Sequence, residues 1–179
     1  MAKTFLITGV SSGFGRALAE AALNDGHTVV GTVRNDADKA KFEALGKELG
    51  KPAHAVILDV TDTKAIAPAV AGIEKAIGAI DILVNNAGYG HEGILEESSI
   101  EDLRRQFEVN VFAAVAMIQA VLPFMRKRRS GHILNITSMG GIMTLPGLSY
   151  YHGSKFALEG ISESLGKEIK DLGIKVTAI

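Results

Sequence analysis

Tyr151 and Lys155 stand four residues apart in the run Tyr151-His152-Gly153-Ser154-Lys155, with Ser138 a short loop upstream. On a helix that spacing puts the two side chains on one face, one turn apart. A free tyrosine has a pKa near ~10 and is a poor base at neutral pH. A neighbouring ammonium favours the phenolate and lowers that value. Lysine can act this way without touching a substrate. Serine can hold a substrate oxygen while tyrosine gives or takes its proton. The trio suits proton transfer at a carbonyl or alcohol, the proton move that hydride transfer requires. Tyr-x-x-x-Lys also arises by chance on surface helices, so the pair needs context.

A second group follows the first apolar run. Thr8-Gly9-Val10-Ser11-Ser12-Gly13-Phe14-Gly15 is a glycine-rich turn leading into helical spacing. Its glycines would let the backbone approach a pyrophosphate, with the positive end of the next helix aimed at it. The spacing departs from G-x-G-x-x-G, and a plain turn is the alternative. Arg34 follows the second apolar run, where many NAD sites carry an acidic residue on the ribose. Its planar fork suits a 2′-phosphate, which favours NADP over NAD. A surface arginine is the plain alternative, and Asp36 and Asp38 nearby keep NAD open. Asp59 stands where it could accept from an adenine amino group or simply shape a turn. Asn85-Asn86-Ala87-Gly88 offers small residues against which a ribose could lie, or a tight turn. Asn110 sits in an apolar helical stretch where asparagine is disfavoured. It could disturb the helix and hold a water, or be a satisfied core amide.

These residues need elements to position them. Apolar runs at residues 4–8, 27–33, 53–58, 80–84, 132–137 and 174–179 read as strands. Helical periodicity lies between them, including 63–77, one long helix over 100–128, and the stripe Leu158, Ile161, Leu165, Ile169 and Leu172. Apolar strands alternating with amphipathic helices predict a parallel sheet covered on both faces. Right-handed crossovers make it doubly wound, and ligands bind beyond the strand carboxyl ends, where the polar residues gather. Without a linker or repeat, residues 1–179 read as a single dinucleotide-binding domain.

The composition narrows the class. Of 179 residues, 47% are hydrophobic and 22% charged, with formal net charge −1, which gives no electrostatic case for nucleic acid or an anionic membrane. There is no cysteine, which excludes disulfides and thiolate metal sites. The apolar stretch 111–125 is broken by Gln119 and Pro123 and reads as too short to span a bilayer. A soluble cytoplasmic protein is the expectation. Arg126-Lys127-Arg128-Arg129 reads as a solvated helix C-terminus, where cations favour the dipole. Met139, Ile142, Met143, Leu145 and Leu148 make the loop after Ser138 apolar, which points to an apolar substrate or to core.

Taken together, the Thr8-Gly9-x-x-x-Gly13-x-Gly15 turn, Asp59, Asn85-Asn86-Ala87-Gly88, Asn110, Ser138 and Tyr151-x-x-x-Lys155 resemble the short-chain dehydrogenase/reductase family, in its order and near its separations. The resemblance covers essentially the whole chain. It implies a Rossmann-like fold and an oxidoreductase interconverting a carbonyl and a secondary alcohol with NADP(H). Tyr151 would be the acid/base, with Tyr150 one residue off register. Ser138 would orient the substrate oxygen, and Lys155 would assist Tyr151 and bind the nicotinamide ribose. Asn110 would keep a water in a relay to Lys155. Cofactor contacts are implied for Gly9, Ser11, Ser12, Gly13, Phe14 and Gly15 in the turn. They extend to Arg34, Asp59 and Val60, to Asn86, Ala87 and Gly88, and to Tyr151 and Lys155. The resemblance also implies a homo-dimer or homo-tetramer built through the two long helices. Family members usually continue past a sixth strand into a substrate-covering segment and a seventh strand. That departure makes a truncated, non-catalytic dinucleotide-binding module the competing expectation, with the last strand an exposed edge.

Overall fold

The computed structural model describes residues 2–179. Six parallel strands, β1 (Thr4–Ile7), β2 (Thr28–Val33), β3 (Ala53–Ile57), β4 (Ile82–Asn85), β5 (Gly131–Asn135) and β6 (Ile174–Ala178), lie in the order β3-β2-β1-β4-β5-β6. The chain winds outward from β1 to β3, returns to the centre, and winds the other way. The order therefore switches between β1 and β4, and a crevice opens beyond their carboxyl ends.

The alternation along each strand builds two cores. Leu6, Val30, Leu83 and Ile133 point to one face, and Ile7, Val29, Val33, Ile82 and Val84 to the other. The first face is covered by α3 (Thr63–Ala76), α5 (Ala113–Arg128) and α6 (Ser149–Glu168), through Ile66, Val70, Met117, Val121, Met125 and Leu165. The second is covered by α1 (Gly13–Asn24) and α2 (Asp36–Leu49), through Ala19, Leu23, Phe42 and Leu45. The inner strands β2 and β4, buried almost throughout, leave no room for polar alternation, which is why they read as apolar runs.

The expected elements occur, with two differences that have physical causes. The fourth strand starts at Ile82, not Ile80. The Ile80 amide donates to the Glu74 carboxylate at 2.9 Å and its carbonyl accepts from Arg128 at 2.9 Å, so Ile80 pairs with side chains. The long helix runs from Ile100 to Arg128 in three pieces: α4 (Ile100–Phe107), a π-helical turn at Glu108–Phe112, and α5. At 29 residues it is long and apolar enough, by length and composition alone, to cross a membrane, longer than the 111–125 stretch implied. Here Met117, Ile118, Val121 and Met125 bury its inner side against the sheet.

The basic run at its end is a helix C-terminus with Arg126, Lys127 and Arg129 exposed, as expected, and Arg128 is the half-buried exception. Arg128 pairs with Glu74 of α3 at 2.7 Å. Arg129 takes a left-handed conformation as the C-cap, and its guanidinium donates to the Asp171 carbonyl at 2.6 Å. Among the described residues, β6 pairs only with β5 and forms one edge of the sheet.

Candidate active site

The glycine turn is held from below by the side chains of Thr8, Asn86 and Thr32, of which only Thr32 goes unmarked in the sequence. The Thr8 hydroxyl accepts the Asn86 and Ala87 amides at 3.0 and 2.9 Å. The Asn86 amide answers by donating to the carbonyls of Thr8 and Gly9 at 2.9 and 3.1 Å. The loops after β1 and β4 are thereby stitched together across the switch point. Thr32 adds its hydroxyl, which accepts the Gly9 amide at 3.1 Å. Gly9 has φ +72°, a left-handed conformation that favours glycine. At Gly15 the constraint is space: a Cβ would stand 2.3 Å from both Asn86 Nδ2 and the Gly9 carbonyl. Ser12 caps α1 without a side-chain hydrogen bond. The first-turn amides are therefore left available to an anion.

Above this turn lies a cleft of about 980 Å³, lined by Gly9, Ser11, Ser12, Gly13, Phe14 and Gly15, then by Arg34, Asp59 and Val60, then by Asn86, Ala87 and Gly88, and closed by Tyr151 and Lys155. All the cofactor positions read from the sequence thus meet in one place. Thr32, Val33, Leu58, Thr61, Tyr89, Gly90, Glu92, Val109, Ile136 and Thr137 complete the wall. Asp59 accepts the amide and the hydroxyl of Thr61 at 2.9 and 2.8 Å. Those two bonds, the backbone one foremost, hold its carboxyl below the usual carboxylate range, with Arg34 adding a smaller pull. Asp38, by contrast, is engaged with Asn35 at 3.0 Å and Lys41 at 3.7 Å.

Tyr151 and Lys155 rise from one face of α6. The Lys155 ammonium lies 5.8 Å from the Tyr151 ring centroid and donates to the Ile136 carbonyl at 2.8 Å. Lys155 is only 7% exposed, and burial pushes its pKa down to about 8. Ser138, expected at a strand end, lies three residues past β5 as the N-cap of a 3-10 turn at Met139–Gly141, and its hydroxyl accepts the Gly140 amide at 3.0 Å. That bond uses a lone pair and leaves the hydroxyl proton free to be donated. Ser138 and Asn110 are not among the residues lining the cleft.

Asn110 sits in the π turn, 2% exposed, with both ends of its amide committed. It accepts the Tyr89 amide at 3.1 Å and donates to the Tyr89 carbonyl at 2.9 Å and to Ser154 Oγ at 3.1 Å. Gln106, fully buried, grips the same segment from one turn earlier. It donates to the Tyr89 carbonyl and accepts the His91 amide, both at 2.7 Å. The segment so held packs Gly90 on the Tyr151 ring, where an added Cβ would be 3.5 Å from Cδ2. Gln106 was not singled out from the sequence. The signal was there: a glutamine one turn before Asn110, on the same helical face.

The fit to a dinucleotide rests on the cradle at Gly15, the open first turn of α1, and a cleft that runs from Arg34 to Lys155. The family model for the short chain dehydrogenase matches residues 3–179. A 3-ketodihydrosphingosine reductase of Bacteroides thetaiotaomicron is 42% identical over 174 residues, covering 97% of this chain and 61% of that protein. A short-chain dehydrogenase structure from Streptomyces avermitilis is similar with TM-score 0.93 and 43% identity, over 99% of this chain and 64% of that one. A metagenomic short-chain oxidoreductase solved in complex with NADP is similar with TM-score 0.90 and 30% identity, over 98% of this chain and 80% of that one. The chain belongs to the short-chain dehydrogenase/reductase family, whose members are oxidoreductases that bind NAD(P). It spans under two thirds of the length of the curated Bacteroides relative.

Proposed function

We propose that the protein is an NADP(H)-dependent oxidoreductase that interconverts a carbonyl and a secondary alcohol. One observation carries this reading. Tyr151 and Lys155 share a helix face at the end of the same cleft that the glycine turn opens. A bound nicotinamide dinucleotide supplies the hydride. Gly9, Gly13, Gly15 and the α1 amides would hold its pyrophosphate, and Lys155 its nicotinamide ribose. In reduction, Tyr151 gives its proton to the carbonyl oxygen while Ser138 donates a hydrogen bond to that oxygen. The buried Lys155 charge favours negative charge on the tyrosine oxygen as the proton leaves.

NADP is favoured because Arg34 lines the cleft and Asp38 is occupied elsewhere. The NADP complex of the metagenomic relative supports the same preference. Met139, Ile142, Met143 and Leu145 are exposed around the loop after Ser138, which fits an apolar substrate. The name of the Bacteroides relative, a reductase of a 3-keto compound, agrees with carbonyl reduction. Self-association through α4–α5 and α6 belongs to the same reading; Phe112 and Phe156 are exposed on those helices.

The test is a fluorescence titration with NADPH beside a panel of carbonyl substrates. Tyr151→Phe is expected to keep NADPH affinity and lose turnover by about a hundredfold or more. Full turnover in that variant overturns the mechanism, and tight NADPH binding with no turnover by the unaltered chain favours the binding module. Arg34→Ala should weaken NADPH binding by about tenfold, from the loss of a charge-assisted contact, while leaving NADH affinity in place. Equal losses would return the preference to an open question between the two cofactors.

A further inference from the structure

Ser138 and Tyr151 come from different elements, the cap of a 3-10 turn after β5 and α6, and their separation has to be held by something. The Ser138 hydroxyl accepts the Gly140 amide at 3.0 Å. The Gly140 carbonyl in turn lies 2.9 Å from Nδ1 of His152, the residue after Tyr151. Nε2 of the same ring lies 2.8 Å from the Leu145 amide. His152 is 5% exposed, so these two bonds form away from water. One imidazole therefore ties both ends of the apolar loop to α6.

The partners dictate its chemical form. A carbonyl can only accept, so Nδ1 carries the hydrogen. A backbone amide can only donate, so Nε2 offers its lone pair. The ring is then neutral, because an imidazolium would set a donor against the Leu145 donor. The loop lies close against both rings. A Cβ on Gly140 would stand 2.8 Å from His152 Nδ1 and 3.1 Å from Tyr151 Cε1.

We propose that His152 is a positioning residue: its neutral Nδ1–H form fastens the loop to α6 and so keeps the Ser138 hydroxyl in register with Tyr151. The catalytic part of this rests on the oxidoreductase reading; the tautomer does not. Long-range proton–nitrogen NMR on the full chain reads the tautomer, with the spectrum of His152→Gln identifying the peak among five histidines. The expected form near neutral pH is Nδ1–H; an Nε2–H ring or an imidazolium overturns the proposal. In steady-state carbonyl reduction, His152→Leu is expected to lower kcat by about tenfold or more through misplacement, with KM for NADPH changed less than about twofold. His152→Gln, which keeps one donor and one acceptor, should recover most of that loss. Unchanged kcat in His152→Leu overturns the proposal, as does a defect confined to KM for NADPH. If His152→Leu does not fold, the ring spectrum of the unaltered chain decides. If the unaltered chain reduces no carbonyl, the oxidoreductase reading fails, and the same spectrum still decides for or against the lock.

Discussion

Burying the Lys155 ammonium has a measurable consequence that does not depend on any substrate. Its pKa falls from 10.5 to about 8 because the folded chain desolvates it. The unfolded chain therefore binds more protons between those values, and stability rises with pH across that window. The penalty is fully present below about pH 8, is relieved as pH rises from 8 to 10.5, and is gone above that. Lys155→Met removes the titration. The stability of the unaltered chain, relative to this variant, should climb between pH 8 and 10.5, by up to about 3 kcal/mol at 1.36 kcal/mol per unit. Urea denaturation across that range measures it, and a flat difference would refute the burial argument. Asp59 makes the complementary point. Its position alone leaves open an adenine contact or a turn; the structure has it accepting twice from Thr61, which makes it at least a turn residue.

The turn between β1 and α1 is where an element meets a steric limit. Gly15 faces Asn86 Nδ2 and the Gly9 carbonyl, both too near for a Cβ. Gly15→Ala must push the strut of Asn86 away or tilt α1. The expected cost is about 1–3 kcal/mol, the usual scale for overpacking. NADPH affinity should fall with it, because the same shift moves the turn. Thermal melting and fluorescence titration read the two effects, and an alanine variant that melts and binds like the parent would mean the turn has slack. The long helix shows what periodicity misses. Its length was legible from apolar spacing. The π turn at Glu108–Phe112 was foreshadowed only by Asn110, a poor helix former in an apolar setting. Its partners, Tyr89 and Ser154, lie 21 and 44 residues away, and spacing carries no information about such contacts.

On the scale of the whole molecule, the end opposite the cleft is tied by one ion pair. Arg128 at the end of α5 bonds Glu74 of α3 and the Ile80 carbonyl, while Glu74 also accepts the Ile80 amide. Two helices and the entry to β4 thus share a single cluster. Arg128→Ala leaves Glu74, whose side chain is only 11% exposed, without its cation. Stability should drop by about 2 kcal/mol, the scale of hydrogen bonds to charged groups. NADPH affinity should stay unchanged, since the cluster lies at the amino ends of the strands. Chemical denaturation beside a cofactor titration checks both halves. A shift in affinity would show that the two ends of the sheet are coupled.

Apolar periodicity and the order of chemistry-bearing residues were enough to determine a doubly wound parallel sheet, the family, and the positions from Gly9 to Lys155 that meet in the cleft, but not that Ser138 and Asn110 lie outside its lining. Strand and helix periods are local, and ligands in such sheets gather where strands end, so linear order maps onto position. The clamp of Gln106 and Asn110 on Tyr89, the strut from Asn86 to the glycine turn, and the seat of His152 were decided only by the tertiary structure. Each is a buried or half-buried amide or imidazole whose partner is a backbone group on another element. Any residue supplies a backbone partner, so no side-chain pattern marks it, and only folding shows which one is within reach.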